Sequence, residues 1–307
     1  MIRAIVGHPL RIIVLWGVLL VTLTASQPAF ATSVGVLPAW VCTHPDSLFV
    51  DGFQPTQSIT RLPSNGSGGA VGSISRSVSV PGYGTHTVYL SVPASYSPAH
   101  PVPLVLALHG QAGPGQGDAA AQTARNTWAP VASANGFIVV APVGTEALGG
   151  WVPPPPNPSD YDIFAAAIAD AEAAYNIDRS RRIGWGFSAG GHVMYDIVFN
   201  DLGAPLSIDT FAAFAVSAGA MSSFACSSEA ECDAIVAAAP RHIPIDIHVG
   251  NGDSLATPAI DDYNRFRDHG WVRYSDLWFT LFVGIHNYST AQLGEIWTHL
   301  CPFQALP

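Results

Sequence analysis

From residue 81 onward the chain alternates between short apolar runs and longer stretches of helical periodicity. Residues 85–92 alternate polar and apolar positions in the manner of a strand. Residues 103–108, Pro-Leu-Val-Leu-Ala-Leu, are continuously apolar and end in His109-Gly110; residues 137–141, Phe-Ile-Val-Val-Ala, form a second such run. Runs of this kind suit strands buried on both faces of a sheet. Residues 160–175 place alanine and larger apolar residues at helical spacing after an acidic start, and a strand is predicted over 181–187. The pattern then predicts a helix over 190–200, strands over 211–216 and 243–249, a helix over 258–268, a strand over 277–283 and a closing helix over 292–300. Strands alternating with helices give an α/β class with a mostly parallel central sheet and helices on both faces.

Residues 32–80 read differently. Proline and glycine recur throughout, and Pro63-Ser64-Asn65-Gly66-Ser67-Gly68-Gly69 predicts a flexible connector. Before them, Arg3 and Arg11, the apolar stretch 12–23 and Ala29-Phe30-Ala31 make an export leader over 1–31, with an uncleaved anchor the weaker alternative. The expected organisation is therefore a leader, an irregular segment over 32–80 and one catalytic domain over 81–307. The 276 residues left of the 307 suffice for a large core.

Composition narrows the partners. The 22 acidic residues all lie after residue 31, against 10 arginines and no lysine, so the exported chain has a formal charge of −12. Such a chain is a poor partner for nucleic acid or an anionic membrane, and neutral substrates suit it better. Four cysteines allow three disulfide pairings in an oxidising compartment. Their spacing favours Cys226–Cys232, which closes a short loop, and Cys42–Cys301, which ties the two ends together; no C-x-x-C supports zinc.

The candidate chemistry centres on Gly186-Phe187-Ser188-Ala189-Gly190, a G-x-S-x-G pattern between a predicted strand and a predicted helix. That context makes Ser188 a nucleophile on a sharp turn, with small neighbours that let strand and helix approach. A serine hydroxyl needs a base. In the order serine, acid, histidine, His286 follows the last predicted strand and Asp253 follows the one before it. The rival acids Asp261 and Asp262 fall on the next predicted helix, where solvated positions are expected. His248 lies inside a strand and His299 inside the last helix, so both are expected to be structural, while His242 and His269 sit at element edges. The oxyanion donors are expected to be the N–H groups of Ala189 and Gln111, with His109 structural. Trp151, ahead of Pro153-Pro154-Pro155-Pro156, is a candidate substrate contact on a stiff cleft wall. No metal or organic cofactor is required by this chemistry.

These residues carry a resemblance. The chain from about Pro81 to Leu300 resembles the secreted α/β-hydrolase esterases that group polyhydroxybutyrate depolymerases with feruloyl and related plant-biomass esterases. The resemblance rests on Leu108-His109-Gly110, on the segments 135–142 and 175–178, on Gly186 to Gly191, on 247–253 and on Gly284 to Tyr288. It implies an α/β-hydrolase fold with Ser188 as nucleophile, Asp253 as acid and His286 as base. Two positions depart from the family: Ile285 precedes His286 where many relatives have glycine, and Gln111 stands where glycine or cysteine is common. The expected activity is ester hydrolysis through an acyl-enzyme. With no polymer-binding domain expected after Leu300, feruloyl or acetyl esters on plant polysaccharide come first and polyhydroxyalkanoates second. Acyl transfer is a variant of the same chemistry and a peptidase is less favoured. A catalytically silent binding protein is the alternative of another class.

Overall fold

The computed structural model describes residues 33–36, 42, 60–200 and 205–306. The expected leader lies outside the described residues. In chain order the elements are β1 (Ser33–Val36), β2 (Gly72–Val80), β3 (Gly84–Val92), β4 (Val102–Leu108), α1 (Gly117–Asn135), β5 (Ile138–Pro142), α2 (Asp160–Ala174) and β6 (Ile177–Phe187). They continue with α3 (Ala189–Phe199), β7 (Ala213–Ser217), α4 (Glu229–Ala237), β8 (Ile245–Gly250), α5 (Ala256–Asp268), β9 (Leu277–Phe282), α6 (Thr290–Leu300) and β10 (Phe303–Leu306).

The apolar runs become the middle of an eight-stranded sheet in the order β2-β3-β5-β4-β6-β7-β8-β9. Strands β5 to β9 of that order run parallel, and β2 and β3 extend the sheet antiparallel at one edge. All seven residues of β4 are buried because both faces are covered. Leu104, Leu106 and Leu108 enter one core, built with Tyr161 and Phe164 of α2, Met194 of α3 and Phe266 of α5. Val105 and Ala107 enter the other, against Trp128 of α1 and Leu293 and Ile296 of α6. The chain reverses direction across the sheet at β4, with β5 on one side and β6 on the other. A crevice at the carboxyl ends of strands around such a reversal is where ligands bind in open α/β sheets.

Several elements escaped the sequence pattern. Helix α1 buries mainly small residues, Ala121, Ala124 and Ala132 around Trp128, and carries Pro130 inside it, which hides its periodicity. Strand β6 begins at Ile177 rather than 181 and carries Asp178 and Arg181 buried. Arg181 donates from Nη2 to the carbonyl of Cys301 at 3.1 Å, while its buried Nε has no hydrogen-bond partner among the described residues. The chain also continues past α6 into β10, which pairs antiparallel with β1. The cysteines pair as Cys42–Cys301 and Cys226–Cys232.

The reading of 32–80 as irregular needs correction. Gly72–Val80 is a nine-residue strand pairing along its length with β3; its alternating Ser-Ile-Ser-Arg-Ser-Val-Ser-Val is an edge-strand pattern overshadowed by small polar residues. The connector before it is also not free. Ser64 N–H donates to Ile177 O and Ser64 Oγ to Tyr175 O, each at 2.8 Å. Asn65 N–H donates to Asn176 Oδ1 at 3.0 Å, and Gly69 N–H to Ala174 O at 2.9 Å. Serine, asparagine and glycine here serve hydrogen bonding and close approach to the α2–β6 turn. A Cβ on Gly66 would lie 2.1 Å from Glu172 O, a backbone atom that cannot swing aside.

Gly66→Ala separates the two descriptions. In a free linker it would be neutral or slightly stabilising. Packed as it is, it is expected to lower stability by about 1–3 kcal/mol, read from the urea midpoint at unchanged m-value.

Candidate active site

Strand β6 delivers Ser188 into a backbone conformation that L-residues avoid, with φ +52° and ψ −119°. Such strain persists only where the surroundings hold it. The Ser188 N–H is held by Ser217 O at 2.9 Å, and α3 starts at once, with His192 N–H on Ser188 O at 3.0 Å. The glycines on either side are required by contact distance. A Cβ on Gly186 would lie 2.1 Å from Gly190 O, and one on Gly190 would lie 2.3 Å from Leu108 O. The neighbouring crossover is strained as well, with Ala218 at φ +51° after β7; nothing in the sequence signals that residue.

Acid and base arrive on the loops after β8 and β9. These loops are stitched together: Asn251 N–H donates to Phe282 O and Gly252 N–H to Gly284 O, each at 2.8 Å. Asp253 is thereby fixed with its side chain fully buried, and its Oδ1 accepts from Leu255 N–H at 2.9 Å. Its Oδ2 accepts from His286 Nδ1 at 2.8 Å, which leaves His286 Nε2 to accept from Ser188 Oγ, also at 2.8 Å. The imidazole is flanked by Phe187, 4.9 Å between ring centres, and Tyr288 packs on Phe187 at 4.7 Å. Three side chains from the ends of three strands thus form one hydrogen-bonded line.

Over the serine lies the turn after β4. An ideal Cβ on Gly110 would come within 3.0 Å of Ser188 Cβ. His109, only 2% exposed, donates from Nδ1 to Gly110 O at 2.7 Å and accepts at Nε2 from Gly144 N–H at 3.1 Å. Because the peptide is planar and trans, pinning the Gly110 carbonyl also aims the Gln111 N–H the opposite way. The next two N–H groups are taken, Ala112 by Gly149 O and Gly113 by Leu148 O, whereas the Gln111 N–H has no acceptor among the described residues. Ala189 opens α3, so its N–H has no intrahelical acceptor either. Both N–H groups expected as oxyanion donors thus lie beside Ser188 without a backbone acceptor among the described residues, as do those of Gly190 and Gly191 in the same first turn of α3.

Trp151 does not line the cleft. It is 3% exposed, its Nε1 donates to His109 O at 2.8 Å, and its ring packs on His109 and Phe164. It supports the Gly110 turn from inside the core, because an indole with a buried acceptor in reach is more stable inside than exposed. The prolines after it do wall a cleft. Pro153 and Pro154 line a cavity of about 620 Å³ with Ser222, Ser223 and Phe224. Phe224 lies 6.2 Å from His192, one turn beyond the serine. Burial, together with the nearby His286, pulls His192 below the usual histidine range, so it stays neutral. Asp262 is also not solvated: it is 2% exposed, accepts from Met221 N–H at 2.9 Å and pairs with Arg265 at 2.6 Å.

Two measurements follow from this support. Trp151→Phe leaves His109 O without its buried donor and is expected to lower stability by about 1–3 kcal/mol while leaving KM for small esters unchanged; a substrate contact would give the reverse. Burial also pulls His109 below its ordinary value of about 6.5, against its hydrogen bond to Gly110 O. The unfolded chain therefore takes up this proton first. The contribution is complete above about pH 6.5 and is lost as pH falls through the lowered folded-state value. Urea midpoints between about pH 7.5 and 5 should drop less in His109→Gln than in the wild type.

No protein-family model matches the chain, and no curated sequence matches it. Solved structures do. A ferulic acid esterase superposes with TM-score 0.57 at 15% identity, covering 76% of this chain and 98% of that one. The feruloyl esterase module from Clostridium thermocellum gives 0.57 at 14% identity, over 82% and 96%. A poly(3-hydroxybutyrate) depolymerase from Bordetella parapertussis gives 0.51 at 17% identity, over 75% and 90%. With the strand order and the turn at Ser188 already described, these likenesses establish that the chain has the α/β-hydrolase fold.

Proposed function

We propose that this chain is a serine carboxylic-ester hydrolase. The observation that carries the reading is the unbroken line from Ser188 Oγ through His286 to the buried Asp253 carboxylate, with both links at 2.8 Å. Ser188 Oγ attacks the ester carbonyl carbon as His286 Nε2 takes its proton. Asp253 holds the imidazole in the required tautomer and stabilises the imidazolium. The oxyanion is received by the N–H groups of Ala189 and Gln111. His286 then protonates the departing alcohol, and the acyl-enzyme is resolved by a water that His286 deprotonates. These steps use protein groups alone.

The favoured substrates are feruloyl or acetyl esters on plant polysaccharide. The 620 Å³ cavity between the proline segment and Phe224 is lined by none of Ser188, Asp253 and His286, but it lies one turn of α3 away. It offers one aromatic ring, serine hydroxyls and the carboxylates of Asp196 and Glu231, contacts a sugar or a substituted phenolic acid uses. A polyhydroxyalkanoate oligomer is the second reading, favoured by the apolar rim beside the base, where Val283 is 93% and Ile285 67% exposed. Both disulfides suit an exported protein, and no helix among the described residues is long and apolar enough to cross a membrane.

The test is hydrolysis of p-nitrophenyl acetate, methyl ferulate and a 3-hydroxybutyrate oligomer by the wild type, Ser188→Ala and Asp253→Asn. The wild type is expected to turn over at least one ester, with kcat reduced about 10⁴-fold in Asp253→Asn and about 10⁶-fold in Ser188→Ala. The preferred ester assigns the substrate class, and an added alcohol that diverts product marks acyl transfer. An inert wild type, with Ser188 unlabelled by a serine-directed phosphonate, would leave a binding protein on a hydrolase fold.

A further inference from the structure

Away from the triad, β8 and α6 bring together three side chains that the triad does not use. Asp246 and His248 are two apart on β8 and so point to the same face of the sheet. His299, in the last turn of α6, faces them from above. Its Nδ1 donates to Asp246 Oδ2 at 2.8 Å. His248 Nε2 lies 3.1 Å from Asp246 Oδ1 but out of line for a hydrogen bond, so Asp246 Oδ1 and both nitrogens of His248 have no hydrogen-bond partner. Both side chains are at most 1% exposed. A buried imidazole with neither nitrogen satisfied is rare in native proteins and asks for an explanation.

One donor atom from each of the three residues lies within 4.8 Å of the other two. Ligands held at about 2.0–2.2 Å around a tetrahedral cation stand about 3.5 Å from one another. Asp246 already lies close enough to each imidazole, at 2.8 and 3.1 Å, and the three groups would need only a small adjustment to enclose an ion. We propose that Asp246, His248 and His299 form a binding site for a divalent transition-metal ion of the zinc type. Two imidazoles and one carboxylate are a donor set that zinc accepts, whereas calcium and magnesium call for oxygen ligands and copper(I) for sulfur. His299 gives access: its side chain is 30% exposed, which leaves a fourth position for water. The ring is already oriented, stacked on Trp278 with 5.2 Å between centres and 11° between planes.

The role that follows is structural. Strand β8 leads into the Asp253 loop, and α6 begins just after the His286 loop. An ion between them would clamp the element that presents the acid to the element that follows the base. It lies at the start of β8, away from the carboxyl end where Ser188 acts, so it supplies no step of the ester chemistry.

The experiment uses the untagged full chain, stripped with EDTA and titrated with ZnCl₂ by calorimetry, with thermal unfolding followed in parallel. The expected result is one zinc per chain and a raised Tm. His299→Gln should lose about 100-fold or more in zinc affinity and lose the Tm shift, while its esterase rate and metal-free Tm show that it folds. His286→Ala should bind zinc as the wild type does, which separates this site from the catalytic histidine. X-ray absorption at the zinc edge of the wild-type complex, which needs no variant, should show two imidazole ligands. Absence of binding at millimolar zinc would overturn the proposal. So would unchanged affinity in His299→Gln, loss of binding in His286→Ala, or fewer than two imidazoles around the ion.

Discussion

The chemistry of the molecule depends on one backbone conformation, Ser188 at φ +52°. A serine in that region is unfavourable, by roughly 1–3 kcal/mol for such residues in general, and it survives because the chain on both sides has no room to relax. β6 ends beside β4, its neighbour in the sheet, α3 begins within one residue, and Gly186 and Gly190 let the two backbones and the Leu108 carbonyl come closer than any side chain would allow. The hydroxyl is thereby lifted out of the sheet at the reversal point between β4 and β6. Were Ser188 to relax to an ordinary torsion, it would carry the hydroxyl out of the reach of His286.

The remaining parts of the site answer to that position. The acid and base are presented by neighbouring parallel strands whose loops bond to each other, so their separation is set by the sheet spacing and not by loop flexibility. The turn at Gly110 and Gln111 is held from beneath by two large buried side chains: His109 Nδ1 donates to Gly110 O and Trp151 Nε1 to His109 O, while His109 Nε2 accepts from Gly144 N–H in the segment after β5. This is support at one remove. Both residues are buried, at 2% and 3% exposed, and the direction of the Gln111 N–H depends on both.

The opposite end of β8 follows a different logic. Asp246, His248 and His299 are polar groups placed on the face of the sheet whose core is built from alanine, valine, leucine, isoleucine, phenylalanine, tryptophan and a disulfide. Burying them raises the energy of the fold unless something completes their bonding. The bond from His299 to Asp246 Oδ2 accounts for one link, but Asp246 Oδ1 and both nitrogens of His248 have no hydrogen-bond partner, in contrast to Asp262, whose carboxylate is met by a backbone N–H and by Arg265.

By itself the sequence determined the parallel sheet, because continuously apolar runs such as 103–108 have few alternatives to strands covered on both faces. It also singled out Ser188, Asp253 and His286, which the fold brings into one hydrogen-bonded line, because G-x-S-x-G at a strand–helix junction and residues just past strand ends are local features. What it could not decide was anything set by contact across the chain. Glycine and serine at 63–69 read the same whether they hang free or lie against the α2–β6 turn; the hydrogen bonds of Ser64, Asn65 and Gly69 and the lack of room for a Cβ at Gly66 distinguish the two. Trp151 beside a proline run reads as a cleft wall until His109 O is found within reach of its indole N–H. His248 and His299, 51 positions apart, each look like an ordinary buried histidine along the chain. Only the packing of α6 over β8 makes them neighbours, since distance in a folded chain is fixed by layers and register and not by sequence separation.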